Sequence, residues 1–160
     1  MKYLVVYYSW KGHTGKVASA LAQKLGAEIV KIEAADNPGF FVRLVKAVFG
    51  MKGPIAPVKS SMKDVDHLIV ACPVWAHRIP PYVRTYLEQL SDGAGKPFSV
   101  LVEMGGTGAE KAIGCARELL ERKGMKFVAS ASTIEREVEN NTFGEKIDRF
   151  VQEIRGRETA

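Results

Sequence analysis

Three short segments of this chain hold residue types that could grip a ligand. The first is Ser9-Trp10-Lys11-Gly12-His13-Thr14-Gly15. Hydroxyls at Ser9 and Thr14 stand among small residues, just where a helical pattern begins. Free backbone N–H groups at such a helix start, together with the positive end of its dipole, attract an anion such as a phosphate. The same residues also fit an ordinary turn with Thr14 as the helix cap. The second segment is Pro73-Val74-Trp75-Ala76-His77-Arg78-Ile79-Pro80-Pro81. A Trp between a strand end and a helix start is placed to stack on a flat ring, or else to pack on the body of the domain. The third is Glu103-Met104-Gly105-Gly106-Thr107-Gly108. Its glycines allow close backbone approach to a ring's polar edge, or form a plain turn.

Better-known phosphate motifs are absent. There is no GxGxxG, and Gly15-Lys16 follows too soon after Gly12, with Val17 where a Walker loop needs Ser or Thr. Cys72 and Arg78 have the spacing of a phosphotyrosine-phosphatase loop. Val74 and Trp75 crowd that loop, however, and Ile79-Pro80 follow the Arg. A response-regulator receiver needs acidic residues after its first strand, where Tyr8 and Ser9 stand. No catalytic side chain and no metal ligand set is singled out. The two cysteines, Cys72 and Cys115, lack the spacing of a zinc site or a disulfide framework.

The elements that must position these segments alternate in type. Lys2–Tyr8 is apolar almost throughout, as a strand covered on both faces should be. His13–Leu25 sets Val17, Leu21 and Leu25 on one helical face and ends at Gly26. Glu28–Glu33 alternates as a strand, and Phe40–Phe49 reads as a short helix between Asn37-Pro38-Gly39 and Gly50. Strands are expected at His67–Cys72, Pro97–Val102 and Lys126–Ala131. Between them lie a helix opened by Pro80-Pro81 and another over Ala109–Lys123. Thr142 and Glu145 have capping-box spacing before a last helix that buries Phe143, Ile147, Phe150 and Ile154.

Five strands alternating with helices imply an α/β fold with a parallel sheet covered on both faces. A ligand then sits beyond the carboxyl ends of the strands, where all three segments fall. The 160 residues suit one domain, 1–160. At 46% hydrophobic and 26% charged the composition is that of a globular protein. The net charge of +5 is scattered rather than gathered in a tract, so no nucleic-acid partner is expected. The run MKYLVVYYSWKG is too short for a signal peptide, and no stretch approaches the roughly 20 apolar residues of a membrane span. A cytoplasmic protein without a membrane partner is the expectation.

The three segments together resemble the flavodoxin family, in its short-chain form. Tyr7-Tyr8-Ser9-x-x-Gly12-x-Thr14 is similar to the family's FMN-phosphate loop. Pro73-Val74-Trp75-Ala76 with Pro80-Pro81-x-Val83 is similar to the loop that holds the isoalloxazine, and Met104-Gly105-Gly106-Thr107-Gly108 to the third flavin-contacting loop. The likeness runs from about Lys2 to Ile154. It implies a flavodoxin-like three-layer sandwich with strand order 2-1-3-4-5. It further implies non-covalent FMN and a carrier of electrons between redox partner proteins, as a monomer or weak dimer. By this resemblance Ser9, Lys11, Gly12, His13 and Thr14 hold the phosphate, helped by the backbone of Trp10. Pro73, Val74, Trp75, Ala76 and His77 lie along the ring, and Gly105, Gly106 and Thr107 at its pyrimidine side. The chain departs from acidic flavodoxins in its positive charge, and His77 and Arg78 are expected close to the ring. An NAD(P)H-dependent FMN or quinone reductase of the same superfamily is the alternative, and as an enzyme it would be an FMN-dependent oxidoreductase.

Overall fold

The apolar run Tyr3–Tyr7 forms β1, an interior strand of a five-stranded sheet whose middle strand is β3. Parallel neighbours on both sides satisfy its backbone, with Leu4 opposite Glu28 of β2 (Glu28–Lys31) and Leu68 of β3 (His67–Pro73). β4 (Pro97–Met104) and β5 (Lys126–Ile134) complete the order β2-β1-β3-β4-β5. This computed structural model describes residues 1–158.

The two-residue period of the strands sorts their side chains into two cores. On one face Leu4, Val6, Val70, Val100 and Val102 pack with Val83 and Leu87 of α3 (Pro81–Gln89) and with Ala112, Ala116 and Leu120 of α4 (Ala109–Arg122). On the other, Val5, Ile69, Ala71 and Leu101 meet Val17 and Leu21 of α1 (His13–Leu25) and Ile147, Phe150 and Ile154 of α6 (Gly144–Glu158). Helices therefore cover both faces, giving the expected three-layer α/β sandwich. No helix among the described residues is long and apolar enough to cross a membrane.

Three features depart from the sequence expectation. β4 continues through Glu103 and Met104, and β5 through Ser132, Thr133 and Ile134, so both reach further toward the carboxyl edge. A short helix, α5 (Glu135–Glu139), stands where none was expected, closed by a bond from the Ile134 N–H to the Glu137 carboxylate at 3.0 Å. The capping box at Thr142 and Glu145 does not form as drawn. The Thr142 hydroxyl donates to the Glu137 carbonyl at 3.4 Å, while Glu145 pairs with Arg149. α2 (Phe40–Val48) is present as expected.

Candidate functional site

Beyond the carboxyl ends of β1, β3 and β4 lies a cleft of about 400 Å³. Strand order reverses between β1 and β3, and the crevice at such a switch point is where an open α/β sheet takes ligands.

The β1–α1 loop forms one end of the cleft. Gly12 caps α1 with φ of +91°, a left-handed conformation open to glycine and costly for other residues. Its N–H bonds the Ser9 hydroxyl at 3.1 Å, which draws the loop into a closed turn. Thr14 is therefore not the cap: it sits inside the first turn, and among the described residues no side chain caps this helix start. The uncapped N–H groups, the Ser9 and Thr14 hydroxyls and the Lys11 ammonium make an anion-binding set. Ser9, Lys11, His13 and Thr14 line the cleft, and Thr14 is only 2% exposed. Gly12 instead borders a second hollow behind the loop, with Gly15, Lys16 and Lys31.

The β3–α3 loop forms the side wall with Pro73, Val74, Trp75 and Ala76. Trp75 and Arg78 exchange two backbone hydrogen bonds of 2.9 Å, closing a tight hairpin over Ala76 and His77. Both central residues are left-handed, with φ of 48° and 61°. Turns of this kind favour Asn and Gly, so two such residues store on the order of 1–2 kcal/mol each. His77 turns away from the cleft and packs on the third loop. A Cβ on Gly108, whose φ is +97°, would lie 2.8 Å from its ring. The guanidinium of Arg78 reaches toward Gly50, beyond α2, and does not line the cleft.

Gly105 of the third loop lines the cleft beside Met104, while Gly106 and Thr107 stand outside its wall. Open space where a Gly105 side chain would project, with nothing nearer than the Glu135 carboxylate at 4.0 Å, leaves its backbone accessible.

Two elements contribute what the sequence did not indicate. α2 brings Phe40, Arg43 and Leu44 to the cleft, their i, i+3, i+4 spacing setting them on one face. Arg43 lies over the Trp10 ring at 4.2 Å and donates to Asn37 Oδ1. Its Nε is buried and has no hydrogen-bond partner among the described residues. The second element, α5, is acidic: it brings Glu135 to the cleft, near Glu103 of β4. His13 Nδ1 lies 3.4 Å from Glu135 and 4.0 Å from Glu103, and Nε2 lies 3.8 Å from Glu139. One ring nitrogen and two carboxylate oxygens of His13, Glu135 and Glu139 fall within 4.8 Å of one another, close enough to hold a cation but here paired among themselves. Lys11 adds a further ion pair to Glu135 at 3.5 Å. Burial raises the pKa of Glu103 above the ordinary carboxylate range. The His13 charge opposes that shift and the neighbouring Glu135 adds to it.

A phosphorylated planar ligand fits these residues. The anion-binding loop lies at one end, indole rings form a wall, and glycine backbone stands opposite. Trp10 and Trp75 also hold each other, and Tyr8 supports Trp75 edge-on at 5.6 Å between centroids.

Residues 1–138 match the family described as NADPH-dependent FMN reductase. Among solved structures, a flavoprotein from Bacteroides uniformis shares 17% identity at a TM-score of 0.70, covering 94% of this chain and 97% of that one. A flavoprotein in complex with FMN from Lactobacillus acidophilus shares 18% at 0.68, over 87% and 97% of the two chains. A flavodoxin of Streptococcus pneumonia TIGR4 shares 16% at 0.61, over 98% and 99%. At these identities the likeness is one of fold.

Proposed function

This chain belongs to the NADPH-dependent FMN reductase family, and from that premise we propose that it works as an FMN-dependent electron carrier between redox partners. FMN is its cofactor. The observation that carries the proposal is the cleft itself: about 400 Å³, the room of one flavin, open to solvent at a rim of exposed Trp10 and Ala76.

Bound FMN supplies one- and two-electron chemistry. The protein's part is to bind, orient and shield. Lys11, the Ser9 and Thr14 hydroxyls and the N–H groups after Gly12 hold the phosphate. Charge-assisted bonds of this kind are about twice as strong as neutral ones. Trp75 and Trp10, which line the cleft, would hold the ring by aromatic contact. The accessible backbone around Gly105 would offer hydrogen bonds to the ring, and Arg43 places a fixed positive charge at the wall. Cys72 and Cys115 are free thiols, and burial pushes Cys72 up to about 12, which keeps it inert. Two free thiols suit the cytoplasm.

A second reading, an NAD(P)H-dependent reductase, is favoured by the family match itself. Stopped-flow mixing of the FMN-loaded protein with NADH and with NADPH separates the two. A carrier stays yellow on mixing and is reduced only by a protein donor, whereas rapid bleaching by NADPH assigns the reductase. A protein purified with FAD, or with no affinity for added FMN, overturns both.

A further inference from the structure

The Glu135 carboxylate sits where a bound anion would. Its Oε1 lies 3.5 Å from Lys11 Nζ and 3.4 Å from His13 Nδ1. One oxygen thus bridges two of the groups that line the anion-binding end of the cleft. The other oxygen, Oε2, is 4.0 Å from the point where a Cβ on Gly105 would stand, on the side of the third loop. The helix that carries this carboxylate is fixed, but the side chain is not. Three bonds hold α5 in place. The Ile134 N–H donates to Glu137 at 3.0 Å, Lys146 Nζ donates to the same carboxylate at 2.8 Å, and Lys16 Nζ donates to the Val138 carbonyl at 3.1 Å. Val138 itself is fully buried. Glu135 takes part in none of these ties. Its side chain is 35% exposed and that of Lys11 72%. Ion pairs this open to water are among the weakest a protein makes. Turning the Glu135 side chain outward therefore frees both cations and leaves α5 where it is.

We propose that Glu135 is a built-in competitor for the cofactor's phosphate: it holds Lys11 and His13 until a phosphate monoester displaces it. The inference rests on the FMN reading above. Charge decides the exchange. A carboxylate carries one negative charge and a phosphate monoester nearly two at neutral pH, so the incoming group wins the two cations. Glu103 helps the exchange along. Its carboxylate lies 4.0 Å from the same His13 nitrogen, and repulsion between the two acids lowers the cost of moving Glu135 away. Glu135 sets a threshold for entry. FMN binds less tightly than the loop alone would hold it, and singly charged anions are kept off Lys11 and His13.

Calorimetry of the full-length protein, freed of flavin, with FMN, riboflavin and inorganic phosphate tests this. Glu135→Gln keeps the shape of the side chain and removes its charge. The variant should bind FMN and inorganic phosphate about three- to tenfold more tightly than the parent, since two exposed ion pairs no longer have to be broken. Riboflavin has no phosphate and should bind both proteins alike. Glu135→Ser also removes the carboxylate, with a residue suited to a helix start, and should show the same gain. Glu139→Gln is the control. Its carboxylate lies 3.8 Å from His13 Nε2 and does not line the cleft, so its loss should change FMN affinity far less. FMN affinity that is unchanged or weaker in both Glu135 variants overturns the proposal. An equal gain from Glu139→Gln also overturns it, in favour of a general acidic field. An equal gain for riboflavin does so too, by setting Glu135 against the ring. A parent that binds neither flavin fails in a different way: it overturns the FMN reading itself, and this inference with it.

Discussion

The indole rings of Trp10 and Trp75 meet edge to face, 5.1 Å between centroids and 65° between planes. This contact ties the β1–α1 loop to the β3–α3 loop, so each holds the other in place. Trp75 packs against Tyr8 at the edge of the core and also lines the cleft. Bound FMN should quench tryptophan fluorescence. Trp75→Phe should lose part of that quenching and about 0.5–1.5 kcal/mol of FMN affinity, the worth of an aromatic pair beyond area burial. A fluorescence titration of parent and variant checks both. Unchanged quenching and affinity would confine Trp75 to the core.

Thr14 is buried at the closed end of the cleft, in the uncapped first turn of α1. Replacing it with Ala should cost FMN about 1–3 kcal/mol, because a hydrogen bond to a charged group is lost. Riboflavin has no phosphate and should bind the variant as it binds the parent. Calorimetry with the two ligands decides. An equal loss for both would show that Thr14 acts through folding.

The helices α1 and α2 and the burial on both sheet faces were legible because apolar periodicity is set by local geometry. The strand order was not in the periodicity and came with the resemblance. What escaped was chemistry delivered by elements with no apolar signature. α5 is Glu135-Arg136-Glu137-Val138-Glu139, with Val138 its one core contact among the described residues, so nothing in the pattern marked a helix. It nevertheless carries Glu135 into the cleft. Glu103 read as the start of a loop, but β4 runs on and buries it. Arg43 was visible on a helix, yet spacing alone could not say that its face meets Trp10. His77 and Arg78 were placed by their nearness in sequence to Trp75. The left-handed hairpin at Ala76 and His77 turns both away.

Glu103 gives the fold a definite pH dependence. Its pKa is raised in the folded state, mainly by burial. The folded protein therefore binds more protons than the unfolded chain between the ordinary carboxylate pKa and the raised one. Stability must fall as pH climbs through that window, and the loss persists above it. Glu103→Gln removes the titration. The variant should unfold at a higher temperature than the parent at neutral pH, with the gap narrowing as pH falls below the usual carboxylate range. Thermal unfolding across pH measures this. A gap that is constant with pH would mean Glu103 is ionised and well solvated.

The arginine that lines the cleft is Arg43, not Arg78. Arg43 lines the cleft and stacks on Trp10, and its Nε is buried without a partner. Arg78 points to Gly50 outside it. A fixed positive charge favours the form of a bound group that has gained electrons, since reduction adds negative charge. Arg43→Gln should therefore make the potential of bound FMN more negative. At an effective dielectric near 20, unit charges roughly 8 Å apart interact by about 2 kcal/mol, on the order of 45 mV for a two-electron couple. Arg78→Gln should shift it far less, and added salt should erase that smaller shift first, because exposed charges are screened most. Spectroelectrochemical titration of the parent and both variants makes the comparison. A larger shift from Arg78→Gln than from Arg43→Gln would mean that the second loop turns inward when FMN binds, carrying His77 and Arg78 to the ring.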